Sequence, residues 1–212
     1  MGTAFATETQ HPVQLYQEYE AVVEEVNERH GLNLMLCPFK EIDQQHMGPV
    51  QGVQADAKEL AKTVQFMDEW QGAKKQEQRP IQKFVCKVFR LNKEERGVGN
   101  KLVSVNTEFY ASCLGMDWTV SPIVSVNTPT GEPDCYIQDV RNVDMVLVSL
   151  PTGYEAVANG SAWYEISPNK KSCTIYQQFT LTKNYLSTSI VPKVILQVDS
   201  ETGVVSVGKQ KL

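Results

Sequence analysis

The chain is 212 residues long, which gives room for one domain with its own hydrophobic core. With 42% apolar and 21% charged residues it is not a disordered chain, a collagen-like repeat or a coiled-coil rod. A net charge of −5 argues against broad phosphate binding, which draws on clustered Lys and Arg, so no nucleic-acid partner is expected.

Residues 1–12 are expected to be flexible. Pro12 suits a first helical turn, and Leu15, Tyr19, Val22 and Val26 follow at helical spacing. The pattern predicts an amphipathic helix from about 13 to 30, stopped at His30-Gly31. Glu8, Glu18, Glu20, Glu24, Glu25 and Glu28 all precede the first base, Arg29. That acidic face is either solvated or a docking surface for a basic partner, and solvation is the simpler reading. Residues 40–53, with Gly48-Pro49 and Gly52, read as a loop. Asp56 and Glu59 resemble a capping box ahead of a second helix, whose apolar face carries Ala57, Leu60, Ala61, Val64, Met67 and Trp70 and which ends near Gly72. The helical part therefore spans residues 13–73, and the polar run Lys74 to Pro80 ends it.

From Ile81 the hydrophobic period changes to two. Phe84, Cys86 and Val88 alternate with Val85, Phe89 and Leu91, as in a strand buried on both faces; Arg90 shares the phase of the first set. Val103, Val105 and Phe109 predict the next strand, and Met116, Trp118, Val120, Val124 and Val126 another, interrupted by Pro122. Further runs fall at about 142–150, 161–167, 172–182, 189–198 and 204–209, separated by Gly, Pro, Asn and Asp clusters. About eight strands joined by short turns in residues 81–212 make an antiparallel meander, because parallel strands need long crossovers. The expected fold is α+β: two N-terminal amphipathic helices followed by a strongly curved antiparallel sheet, barrel-like or sandwich, in a single domain covering residues 1–212. No repeat with a period of 20 to 50 residues is visible, which sets aside solenoids and propellers.

Five cysteines at wide spacing, with no Cys-x-x-Cys pair, give neither a zinc ribbon nor a redox motif. Met1 to Gln10 has no secretory signature and no apolar run is long enough for a transmembrane segment, so a cytoplasmic location with free thiols is expected. The histidines, His11, His30 and His46, all precede the strands. Cys37 with His46 is the sole nucleophile and base pair close in sequence, and it reads more simply as a core cysteine beside a loop histidine. His30, Cys37 and His46 match no common zinc spacing, and Gly97-Val98-Gly99-Asn100-Lys101 leads into a strand instead of a phosphate-holding helix. No catalytic residue, metal site or cofactor is assigned, and enzymatic activity is not expected.

What stands out is the inward face of the strands. The phase of Cys173, Ile175, Phe179 and Leu181 puts Gln177 on the apolar side, where its amide either bonds to backbone at a bulge or anchors a ligand. The primary functional expectation is therefore intracellular binding of a hydrophobic small molecule or lipid in a cavity of the curved sheet, with Trp118, Met145, Trp163, Ile175, Gln177 and Phe179 as its lining. The alternative is a non-enzymatic interaction or assembly module that meets a protein partner through the acidic first helix.

Overall fold

The computed structural model describes residues 11–69, 101–106, 108–129 and 134–207. The expected strand around Phe84 to Leu91 with Arg90, the Gly97 to Lys101 turn apart from Lys101, Trp70 and residues 1–10 lie outside the described residues.

Helix α1 runs Pro12–His30, with proline at its start. Gly31 ends it at φ +64°, a left-handed cap that glycine adopts without steric cost, and the Gly31 and Leu32 amides return to the Asn27 carbonyl. Tyr19, Val23 and Val26 form its buried stripe. The Asn27 side chain then accepts from the Leu34 N–H at 2.7 Å and donates to the Leu34 carbonyl at 2.9 Å, imitating a neighbouring strand. The following strand β1, Met35–Leu36, is only two residues long.

Helix α2 spans Val50–Glu69 and begins earlier than the sequence suggests. Asp56 and Glu59 are no capping box, because the helix starts directly after Pro49 and both carboxylates lie within it. The predicted apolar face is correct: Ala57, Leu60, Ala61, Val64 and Met67 are all buried. The two helices have 19 and 20 residues, and no described helix is long and apolar enough to cross a membrane.

The sheet part consists, among the described residues, of β2 (Lys101–Asn106), β3 (Phe109–Cys113), β4 (Met116–Val120), β5 (Ile123–Thr128), β6 (Tyr136–Arg141), β7 (Met145–Ser149), β8 (Tyr154–Ile166), β9 (Ser172–Lys183), β10 (Leu186–Ile190), β11 (Lys193–Val198) and β12 (Val205–Val207). Every pairing is antiparallel. The strands form three sheets, β1-β10-β9-β11-β12 with β8 also on β9, β2-β5-β6, and β3-β4-β7, and none of them closes on itself among the described residues.

These boundaries correct the sequence reading at four places. The run 103–109 divides into β2 and β3, and Ser121-Pro122 separates β4 from β5, so that each pair contributes to different sheets. Proline cannot donate to a ladder, and here it marks the change of sheet. Residues 136–141, not expected to be extended, form β6. Pro192 likewise divides the run 189–198 between β10 and β11. Buried residues from α1, α2 and all three sheets join in one continuous core.

Candidate functional site

Five of the six predicted lining residues are in the core. Trp118 (β4), Met145 (β7), Ile175, Gln177 and Phe179 (β9) are no more than 3% exposed. Trp163 takes the other face. The β8–β9 register puts Tyr164 opposite Ile175 and Ile166 opposite Cys173, leaving Trp163 on the outer side, 42% exposed and stacked on Tyr176 with ring centroids 5.4 Å apart.

Gln177 sits at the irregularity where β8 shifts register between Asn159 and Trp163. Its Nε2 donates towards the carbonyls of Asn159 (3.3 Å), Gly160 (3.2 Å) and Gln178 (3.1 Å), so the amide satisfies the bulge backbone. Replacing it by leucine removes those donors while leaving the carbonyls in place. Gln177→Leu is expected to cost about 2 kcal/mol in urea denaturation, the usual scale for orphaned buried polar groups. An unchanged midpoint would show that these bonds contribute nothing net.

The cysteines and histidines stay separate. Cys37 Sγ faces Glu41 Oε2 at 3.8 Å, and burial with the nearby Glu41 charge pushes its thiol up, away from the reactive thiolate. His46 Nδ1 instead meets Asp43 at 2.7 Å, and His30 meets Gln65 at 3.2 Å. Burial pushes the Cys173 thiol up to about 12. Among the described residues no group of three or more His, Cys, Asp or Glu could hold a metal ion.

A polar cluster the sequence did not reveal joins α2 to the β9–β10 turn. Lys183 Nζ lies 2.5 Å from Glu59 and 3.6 Å from Asp56, and 4.7 Å from the centre of the Tyr154 ring. Tyr154 donates to Glu59 at 2.8 Å, and Asn184 donates to Asp56 at 2.6 Å. Hydrogen bonds from Lys183 and then Tyr154 hold the Glu59 carboxyl below its ordinary range. Burial alone would lower Lys183, but its bond to Glu59 leads the effects that raise it overall. Beside this cluster, between Pro49, Val53 and Tyr185, lies an open cleft of about 350 Å³. The Tyr185 hydroxyl, bonded to the His46 carbonyl at 3.2 Å, ties the cleft's loop to the turn. Every charge in the cluster has a partner within it, so its evident work is to fasten helix to sheet.

The most exposed apolar surface of β3, β4 and β7 is on their outer side. Thr119 pairs with Tyr110 on one side and Val146 on the other. Val148 falls where β7 shifts register between the partners of Asp117 and Trp118. Tyr110 is 38%, Val146 51% and Val148 57% exposed. The apolar run 145–150 gave a strand but no hint of an exposed face, because valine alternating with Met145 and Leu147 reads as burial on both sides. Comparison with family models, curated proteins and solved structures finds no match.

Proposed function

We propose that the chain is a protein–protein interaction or assembly module whose contact face is the outer side of β3, β4 and β7. The observation that carries this reading is the exposure of Val146 and Val148 on β7, an outer strand in its sheet's pairing order among the described residues. Such strands in soluble proteins are ordinarily blunted by lysine, proline or covering structure, and contiguous apolar side chains there mark contact sites. In this reading the sheets pack face to face, sandwich-like, and the outer face is left for a partner. The acidic first helix offers a second contact: Glu20, Glu24 and Glu28 are exposed at a spacing of four residues. Free thiols at Cys37, Cys135 and Cys173 suit a reducing compartment such as the cytoplasm.

The test is photo-crosslinking of the full chain in its own cells from position 148, with exposed position 155 as control. A discrete protein adduct from 148, absent from 155, is expected. Val146→Thr with Val148→Thr should reduce its yield about tenfold while leaving stability within about 0.5 kcal/mol, as surface changes do. The same adducts from both positions would overturn the reading. So would native mass spectrometry showing one apolar molecule per chain, which would support a ligand carrier instead.

A further inference from the structure

The strand registers repeat at an offset of 70 residues. Phe109↔Val120 and Cys113↔Met116 between β3 and β4 return as Phe179↔Ile190 and Lys183↔Leu186 between β9 and β10. Val103↔Val126 and Asn106↔Ile123 between β2 and β5 return as Cys173↔Leu196 and Tyr176↔Lys193 between β9 and β11. Val126↔Ile137 between β5 and β6 returns as Leu196↔Val207 between β11 and β12. The hairpin turns carry the same left-handed residue, Leu114 and Asn184, both at φ 51°. Pro122 and Pro192 occupy the same break between strands.

Resting on the interaction reading above, we propose that residues 101–137 and 171–207 are two copies of one β unit, and that the hairpin turn of the first copy docks an apolar helix face of a partner protein. The second copy shows what this position carries. There the turn is met by α2, through Lys183 to Glu59 and Asp56 and through Asn184 to Asp56. In the first copy Leu114 replaces Asn184 and is 48% exposed. Pro151 lies beside the turn, 3.6 Å from where a Cβ on Gly115 would stand. An ionic helix fits the second turn, and an apolar helix fits the first.

The duplication also serves as an internal control. Exposed Leu102, Tyr110 and Leu114 of the first copy correspond to Ser172, Thr180 and Asn184 of the second. The same fold therefore forms with polar residues there, and the apolar ones are not required by its packing. The reverse exchange, exposed Val204 for Asp134, lies in the turn between β11 and β12 and not in the β9–β10 turn that α2 meets. At Leu114 the choice works against stability, because a bulky residue resists the left-handed region that asparagine tolerates.

The probe is a labelled synthetic amphipathic helix with a leucine stripe and lysines opposite, titrated into the full-length chain. Binding is followed by anisotropy, and its location by methyl NMR of Leu114, Val146 and Val148. The expected result is shifts at all three methyl positions and at least tenfold weaker binding by Leu114→Asn, whose thermal unfolding is unchanged or raised. Equal binding by Leu114→Asn, or by a proline-interrupted version of the peptide, would overturn the helix dock. Concentration-dependent self-association abolished by Leu114→Asn would overturn it in favour of a second copy of this chain. If Leu114→Asn is silent while the Val146/Val148 variant loses its cellular adduct, the helix dock fails and the interaction reading stands. If both are silent, both fail.

Discussion

Trp118→Ala should lower the unfolding free energy by about 4 kcal/mol, the cost of deleting a large aromatic side chain from a core that cannot fully collapse. Trp118 is 0% exposed, with Ala111 opposite it on β3 and Leu147 opposite it on β7. Ala111 is too small to swing into the vacated volume. Domains of this size are typically stable by about 5–15 kcal/mol, so a loss of this size takes from about a quarter to most of the folding free energy and should lower the denaturation midpoint clearly. Trp163→Ala provides the contrast. Its ring lies on the outer face against Tyr176, and the loss should stay near 1 kcal/mol, the scale of an aromatic pair. Equal losses at the two tryptophans, measured by urea denaturation, would contradict the assignment of inner and outer faces.

Lys183→Met should cost about 2 kcal/mol at neutral pH. The Lys183 side chain is only 12% exposed, and its removal leaves Asp56, 19% exposed, without its ion-pair partner. A fully buried pair would cost more, but Glu59 is 54% exposed and water screens part of the loss. The pH dependence separates this from mere loss of packing. Glu59 is held below its ordinary value of 4.5 in the folded chain, first by the Lys183 hydrogen bond and then by that of Tyr154. A group with a depressed folded-state value stabilises fully above its unfolded value, and this stabilisation is lost as pH falls through the folded value. The native chain should therefore lose stability as the pH drops below about 4.5, and Lys183→Met should lose less over the same window. Parallel curves for the two proteins would show that the ion pair contributes nothing.

Both helices and the alternating strands were legible because they depend on local pattern. Leu60, Val64 and Met67 keep a helical period, and Phe179 and Leu181 keep a strand period. The start of α2 is not legible in the sequence because Asp56 and Glu59 look like caps, and their partners, Lys183, Tyr154 and Asn184, are far away in sequence. β6 is hidden in the sequence because Tyr136, Gln138 and Val140 share one phase and Ile137 the other, which blurs the alternation. Gln177 was placed correctly on the inner face, but which carbonyls its amide would meet depends on the β8 irregularity, which no local pattern announces. The duplication was hidden for a different reason. Its offset of 70 exceeds the repeat lengths that build solenoids, and between β2 and β12 it keeps identity at few places, such as Phe109 with Phe179 and Val124 with Val194. Register survives where residue identity does not, because pairing is fixed by hydrophobic phase and turn position.

The clasp between α2 and the β9–β10 turn also sets an order of events in time. Asp56 precedes Asn184 by 128 residues, and His46 precedes Tyr185 by 139. At a synthesis rate of roughly 5–20 residues per second, the helices emerge on the order of ten seconds before the groups that fasten them exist. During that interval the apolar stripe of Ala57, Leu60, Val64 and Met67 has no sheet to cover it. The nascent chain is therefore most exposed to misassociation early, until the β9–β10 hairpin has been made.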